Sequence, residues 1–130
     1  MAVLKPSGQE VMNVASLAHS TTTALSDCTP PVTLTRCTQL CFTVVCTFNA
    51  SATGDAQLTL WPSYDGTNFD TVAWGGGWYD TIVCVAGTTV THTTLAISPV
   101  PKAMKVKIAN SDTTYAITNL KVYAVVQTAG

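Results

Sequence analysis

Apolar and polar residues alternate along most of this sequence, and the alternation predicts β-strands. The longest such stretch runs from Arg36 to Phe48, and every second residue is apolar from Leu40 onward. Because successive side chains of a strand point to opposite faces of a sheet, this stretch predicts one buried face and one mixed face. The residues expected on the buried face are Leu40, Phe42, Val44, Cys46 and Phe48.

Shorter segments with strand patterns occur along the rest of the chain, separated by Gly, Asn, Asp and Pro. The further predicted strands are Ser20–Ser26, Ala56–Pro62, Thr71–Trp74, Trp78–Val85, Thr88–Ile97, Met104–Ile108 and Tyr115–Val126. Asp65-Gly66 predicts a tight hairpin, and Gly75 to Gly77 would join the two strands around them. The sequence therefore predicts an all-β fold, a single antiparallel β-sandwich of jelly-roll type with about eight strands.

The first residues of the chain lack this alternation. Residues 1–14 contain Pro6 and Gly8 and show no clear period. We expect them to form an extended N-terminal arm that is ordered only against another molecule. The predicted sandwich domain then covers residues 15–130.

Charged residues are scarce in this chain, and their scarcity limits the kinds of partner that it can attract. Charged residues make up 10% of it, against about a quarter in ordinary soluble domains, and the formal net charge is −1. No basic field exists to attract nucleic acid, and we interpret Lys102, Lys105 and Lys107 as a solvated strand face rather than a phosphate site. A neutral surface rich in threonine favours lasting contact with other protein, including homo-oligomer formation.

The start of the chain and its cysteines indicate where the protein is made. The segment Met1–Glu10 has no apolar run behind a basic end, and no stretch is long and apolar enough to predict a membrane span. We therefore expect synthesis in a reducing host cytoplasm and no membrane partner. The cysteines, which we interpret as small apolar core residues, are Cys28, Cys37, Cys41, Cys46 and Cys84.

Few side chains in this sequence could act in catalysis or bind a metal ion. The chain has two histidines, His19 and His92, and Glu10 is its sole glutamate. Cys37 and Cys41 would lie about 13 Å apart in a strand, too far to share a zinc ion. Asp65 and Asp70 flank one turn, and turn formation explains them better than calcium binding. We expect no catalytic residues, no cofactor, no metal site and no enzyme activity.

The most unusual segment is rich in aromatic residues. Within Trp61–Tyr79 the aromatic residues are Trp61, Tyr64, Phe69, Trp74, Trp78 and Tyr79. Aromatic rings are enriched at buried anchors of protein interfaces, and interleaved with Asp, Asn and Gly they are also typical of glycan sites. These six residues form our candidate interaction surface. Core packing and glycan binding remain the alternatives.

The segment Ala56–Thr71, with Ser63-Tyr64-Asp65-Gly66 after a strand, resembles a motif of small virion proteins of tailed bacteriophages. A threonine-rich strand and a long alternating strand precede it. The later segments Met104–Asn110 and Ala116–Val122 are similar too, so the order matches over about 15–126.

This resemblance implies a jelly-roll capsid decoration (cement) protein of the virion surface. Such a protein binds the major capsid protein, often as a trimer, and clamps neighbouring capsid subunits. A carbohydrate-binding module for host attachment and a tail or neck component are the alternative functions.

Overall fold

The computed structural model describes residues 3–4, 8–94 and 101–129, and nearly all of its regular structure is β. The described strands are β1 (Val3–Leu4), β2 (Gln9–Leu17), β3 (Thr21–Thr22), β4 (Val32–Thr33), β5 (Cys37–Phe48), β6 (Ala56–Ser63), β7 (Asp80–Ile82), β8 (Thr89–Thr93), β9 (Ala103–Asn110) and β10 (Ile117–Ala129). A 3-10 turn covers Leu25–Asp27, and a four-residue helical turn covers Trp74–Gly77. The predicted all-β fold is confirmed.

The strands form two antiparallel sheets. Sheet A contains β1, β2, β10, β5 and β8, and sheet B contains β3, β4, β9, β6 and β7. Strands β1 and β2 lie end to end along one side of β10, and β3 and β4 lie end to end along one side of β9. Each sheet therefore has four strand positions.

The strand order is that of a jelly roll. With the eight positions numbered along the chain, sheet A has the order 1-8-3-6 and sheet B the order 2-7-4-5. Every connection crosses from one sheet to the other, except the one from β6 to β7. This is the double Greek-key arrangement predicted from the sequence.

The core lies between the inner faces of the sheets. The alternate residues of β5 that the pattern predicted to be buried are all at most 1% exposed. Sheet B supplies the opposite side of the same cluster, with Ala56, Leu58, Leu60, Ile82, Met104, Val106 and Ile108. The alternation therefore indicated the correct inner face of β5, and burial alternates in the same way along β6 and β9.

The predicted N-terminal arm is wrong for residues 9–14. They belong to β2, which pairs with β10, and Val11 and Met12 are buried in the core. Met12 pairs with Val122 and Glu10 with Tyr123, so Val11 is an extra residue in a β-bulge. The bulge puts two consecutive residues into the core, which removes the alternation that would have revealed the strand.

The structure also corrects the predicted strands around the aromatic segment. Strand β6 ends at Ser63 and its partner β7 begins at Asp80, so Asp65-Gly66 opens a long loop instead of closing a hairpin. Residues 71–74 form no strand, and only Asp80–Ile82 of the predicted strand Trp78–Val85 is one.

Two other predicted strands are shorter than expected. Within Ser20–Ser26 only Thr21–Thr22 pairs with a neighbour, because the 3-10 turn begins at Leu25. Thr88–Ile97 is a strand over Thr89–Thr93, and its predicted end at 95–97 lies outside the described residues.

A buried polar network closes one end of the sandwich. The Asn110 amide donates to the carbonyl oxygens of Leu17, Ala18 and Tyr115 at 3.0 to 3.3 Å. The Asp112 carboxylate accepts four backbone N–H groups at 2.8 to 2.9 Å, from Thr53, Gly54, Thr114 and Tyr115. These hydrogen bonds, above all the one from the Gly54 N–H, keep the pKa of Asp112 well below its usual range.

Gly54 is required where it packs on this network. A Cβ atom at Gly54 would lie 2.4 Å from the Cα atom of Asp112, closer than any side chain allows. The close approach brings the β5–β6 connection against the β9–β10 connection, so that one carboxylate can serve both.

Replacing Phe42 by alanine should lower the free energy of unfolding by about 3–5 kcal/mol, because it empties a fully buried position. The matched control is Gln39→Ala on the exposed face of the same strand, which should change stability by less than about 0.5 kcal/mol. Urea unfolding followed by fluorescence measures both. Equal effects of the two substitutions would contradict the assigned inner face.

Asp112 should make the protein less stable in acid. Its pKa is lowered in the folded state, so its stabilisation is fully present above the unfolded pKa of about 3.9 and is lost as the pH falls through the folded value. Asp112→Asn should lower the melting temperature at pH 7 and flatten its fall below pH 4. Asp27→Asn, in the exposed 3-10 turn, is the control. An unchanged acid profile in Asp112→Asn would refute this role.

Candidate interaction surface

The loop after β6 begins with a turn organised by Asp65. Its carboxylate accepts the Ser63 hydroxyl at 3.0 Å and the backbone N–H groups of Thr67 and Asn68 at 2.8 and 2.7 Å. These bonds, first the one from the Asn68 N–H, lower the pKa of Asp65 well below its usual range. Gly66 follows at φ +86°, a left-handed conformation that glycine adopts without strain. The aspartate thus shapes the turn, as expected.

Two aromatic rings of this segment lie on the outer face of sheet B beneath lysines. Lys107 Nζ lies 4.0 Å from the centre of the Trp61 ring, and Lys105 Nζ lies 5.1 Å from the centre of the Phe69 ring. Lys105 also donates to the carbonyl oxygen of Leu25 at 3.2 Å. Cation–π contacts therefore hold Lys107 against β6 and Lys105 against the loop that follows β6.

Trp74 and Trp78 pack against each other at the helical turn. Their ring centres are 5.8 Å apart and their planes meet at 82°, an edge-to-face contact. Gly75 and Gly76, both with positive φ, reverse the chain between them. Both tryptophans are half-buried against the core. They therefore attach the loop to the sandwich.

The remaining two aromatic residues are exposed, and they lie in a stretch that contains other exposed apolar residues. Among the described residues, the exposed large hydrophobic side chains are Tyr64, Val72, Tyr79, Val83 and Val85. All five lie within 64–85. This concentration of exposed apolar side chains makes the stretch the candidate contact surface.

Three of these side chains lie next to β7, at the margin of sheet B. Ile82, the last residue of β7, is buried in the core, whereas Tyr79 before the strand and Val83 and Val85 after it are exposed. They are 53%, 62% and 50% exposed. They flank β7, the short edge strand of sheet B, on both sides. We call Tyr79, Val83 and Val85 the edge stripe.

The six residues of the predicted interaction surface thus divide into two groups. Four of them, Trp61, Phe69, Trp74 and Trp78, are half-buried, whereas Tyr64 and Tyr79 are exposed. The sequence reasoning missed Val72, Val83 and Val85. Val83 and Val85 lie in the connection between β7 and β8, where polar residues would be expected.

The tryptophans do not form a flat platform for a sugar. The planes of Trp74 and Trp78 are nearly perpendicular, and Lys107 covers the ring of Trp61. Stacking on a sugar requires an accessible ring face, so this geometry does not favour the glycan alternative.

One pair of titratable side chains connects the two sheets. His92 Nε2 lies 2.8 Å from Asp80 Oδ2, and this contact joins β8 at the margin of sheet A to β7 at the margin of sheet B. No group of three or more His, Cys, Asp or Glu residues in the described part of the chain is placed to hold a metal ion. In that same part, no helix is long and apolar enough to cross a membrane.

The cysteines are unpaired in the structure. Cys28 and Cys46 are buried, and the other three are partly exposed. Burial raises the pKa of the Cys46 thiol to about 11 and also raises that of Cys28. The prediction that all five cysteines are core residues is therefore confirmed for Cys28 and Cys46 and wrong for the other three, which are partly exposed.

Removing the Asp65 carboxylate should loosen the start of the loop. In Asp65→Ala the N–H groups of Thr67 and Asn68 lose their acceptor, so their amide hydrogen exchange should accelerate several-fold. Global stability should change little, because the turn is exposed. Asp70→Ala, at the far end of the turn, is the control, and unchanged exchange at Thr67 and Asn68 would contradict the role of Asp65.

Comparison with models of protein families, with curated proteins and with solved structures finds no match to this chain.

Proposed function

We propose that this chain is a structural protein of a bacteriophage particle, a capsid decoration protein. In this role it binds the outer surface of the capsid and stabilises contacts between major capsid subunits. It works by adding protein contact area across subunit boundaries.

The observation that carries the proposal is the concentration of exposed large apolar side chains in one stretch, 64–85. A side chain such as Val or Tyr contributes about 1.5–3 kcal/mol when it is fully buried. The edge stripe therefore offers several kcal/mol to a partner that covers it. Exposing apolar side chains to water is unfavourable, so their concentration here supports a surface that a partner covers.

The resemblance supports the choice of partner. The order of strand and turn motifs over about 15–126 is similar to that of bacteriophage virion proteins. A jelly roll is also a common fold of viral capsid proteins, although the fold by itself carries no function.

The chemistry of the edge stripe defines how attachment would behave. Tyr79, Val83 and Val85 carry no charge, so attachment through them depends on apolar burial and on backbone pairing at the edge of β7. Such binding weakens little as salt concentration rises, unlike attachment by surface ion pairs.

A lysine at Val83 should weaken attachment to the capsid about tenfold or more, because the loss of about 1.5 kcal/mol of apolar burial equals a tenfold change in Kd. Occupancy on purified particles, measured at a series of protein concentrations, reports the change. Val83 is 62% exposed, so the variant should fold normally.

Thr35→Lys is the matched control. It adds the same charge in an exposed turn between β4 and β5, and β4 lies on the opposite margin of sheet B from β7. Equal occupancy of Val83→Lys and the wild type would refute attachment through the edge stripe.

A tail or neck position is the alternative within the same particle. Quantitative mass spectrometry of purified particles separates the two by copy number. Decoration requires a copy number comparable with that of the major capsid protein, whereas a tail or neck ring holds about a dozen copies or fewer.

A further inference from the structure

The turn after β6 contains the one place in the sequence where an aspartate or asparagine precedes a glycine, at Asp65 and Gly66. Glycine has no Cβ atom, so its backbone nitrogen can approach the side chain of the residue before it without steric hindrance. For this reason an aspartate before glycine rearranges to isoaspartate faster than an aspartate before a larger residue. Asp65 is therefore the aspartate of this chain that is most liable to spontaneous covalent change.

The rearrangement needs only the water molecule that it first releases. The Gly66 nitrogen forms a bond to Cγ of the neutral Asp65 carboxyl group, whose OH leaves as water with the proton of the nitrogen. The product is a five-membered succinimide ring. Water then adds to one of the two ring carbonyl carbons and breaks its bond to the nitrogen. Opening at the side-chain carbonyl restores aspartate, whereas opening at the main-chain carbonyl gives isoaspartate.

The structure engages the nucleophile of this reaction. The Gly66 N–H donates to Ser63 Oγ at 3.0 Å, and Ser63 is fully buried at the end of β6. To attack Asp65, the nitrogen must lose its proton and the peptide group must rotate until the nitrogen lone pair faces Cγ. The hydrogen bond to Ser63 opposes both changes, because each of them breaks it.

The structure also holds the electrophile in its unreactive form. Oδ1 of Asp65 accepts the Ser63 hydroxyl at 3.0 Å, and Oδ2 accepts the Asn68 side-chain amide at 2.7 Å. All the donors around this carboxylate, above all the Asn68 N–H, favour the ionised form and lower the pKa of Asp65. A carboxylate resists attack because it has no OH to release as water. Little of the reactive acid is therefore present at neutral pH.

Ser63 bonds to both reacting groups. Its hydroxyl donates to the Asp65 carboxylate and accepts from the Gly66 nitrogen. Pairing of Ser63 with Ala103 of β9 fixes the hydroxyl at the end of the sheet. We propose that Asp65 is a modification site of this chain, converted to isoaspartate through attack by Gly66, and that the Ser63 hydroxyl limits the rate of the conversion.

The modified residue does not fit the present turn. Isoaspartate adds one carbon atom to the main chain before Gly66 and carries its free carboxylate on the Cα atom. The N–H groups of Thr67 and Asn68 would then lose their acceptor, so the start of the loop after β6 would change its conformation. Slow conversion suits a particle protein that is not replaced after assembly, but the chemistry does not depend on the decoration role.

Incubating the full chain at neutral pH for several weeks tests the proposal. Endoproteinase Asp-N cleaves before aspartate and not before isoaspartate, so the loss of cleavage between Tyr64 and Asp65, followed by mass spectrometry, measures the conversion. Ser63→Ala should convert about tenfold faster than the wild type, because both hydrogen bonds of the hydroxyl are lost. Ser63→Thr keeps a hydroxyl and should convert at the wild-type rate.

Thr23→Ala is the matched control. Thr23 is also buried, and its hydroxyl oxygen accepts the N–H of Ile108 in β9. The substitution removes a buried hydroxyl and leaves the Asp65 turn intact, so the conversion should stay at the wild-type rate. Thermal unfolding checks that each variant is folded during the incubation.

The wild type alone gives a second test, which does not depend on the folding of a variant. In guanidinium chloride the bonds of the turn are lost, so the unfolded chain should convert at least about tenfold faster than the folded chain. Equal rates in Ser63→Ala and the wild type would overturn the proposal, and so would equal acceleration in Thr23→Ala. A folded chain that converts as fast as the unfolded chain, or an Asp65 that converts in neither, would overturn it as well.

Discussion

The packing of two inner sheet faces into one hydrophobic core is the constraint on which the rest of this molecule depends. Phe42 and Leu40 on β5 meet Leu58 and Leu60 on β6 across the sandwich, and all four are buried. The alternation that fills this core commits every second residue of the long strands to the interior. The outward residues are then free to differ between the sheets, and they do.

The jelly-roll path creates a need for polar groups at the ends of the sandwich. Because nearly every connection crosses between sheets, several turns meet at one end and bring buried backbone N–H and C=O groups with them. Asn110 and Asp112 supply the missing partners, and Gly54 lets the turns approach closely enough to be served by one carboxylate. The few charged residues of the chain are thus used partly for internal bonding.

The two outer faces have different characters. Sheet B has lysines over aromatic rings, and its margin at β7 exposes the apolar edge stripe. Sheet A presents threonine hydroxyls that bond in pairs between β5 and β8. An apolar stripe favours a partner that buries it, whereas hydroxyls that bond to one another do not require one. This difference favours the margin of sheet B as the contact surface.

The sequence alone determined the fold class, because alternation and turn residues act locally and identified the strands β5, β6 and β9 together with the inner face of β5. Tertiary structure decided the features that depend on contacts between distant parts of the chain. The bulge at Val11 hid β2, since its place in the core depends on pairing with β10 more than a hundred residues later in the chain. The aromatic segment marked the correct region of the surface, but packing against the core and the lysines buried half of each tryptophan and left Tyr79, Val83 and Val85 exposed. Exposure depends on what the rest of the chain covers, and that is set only when both sheets have closed on each other.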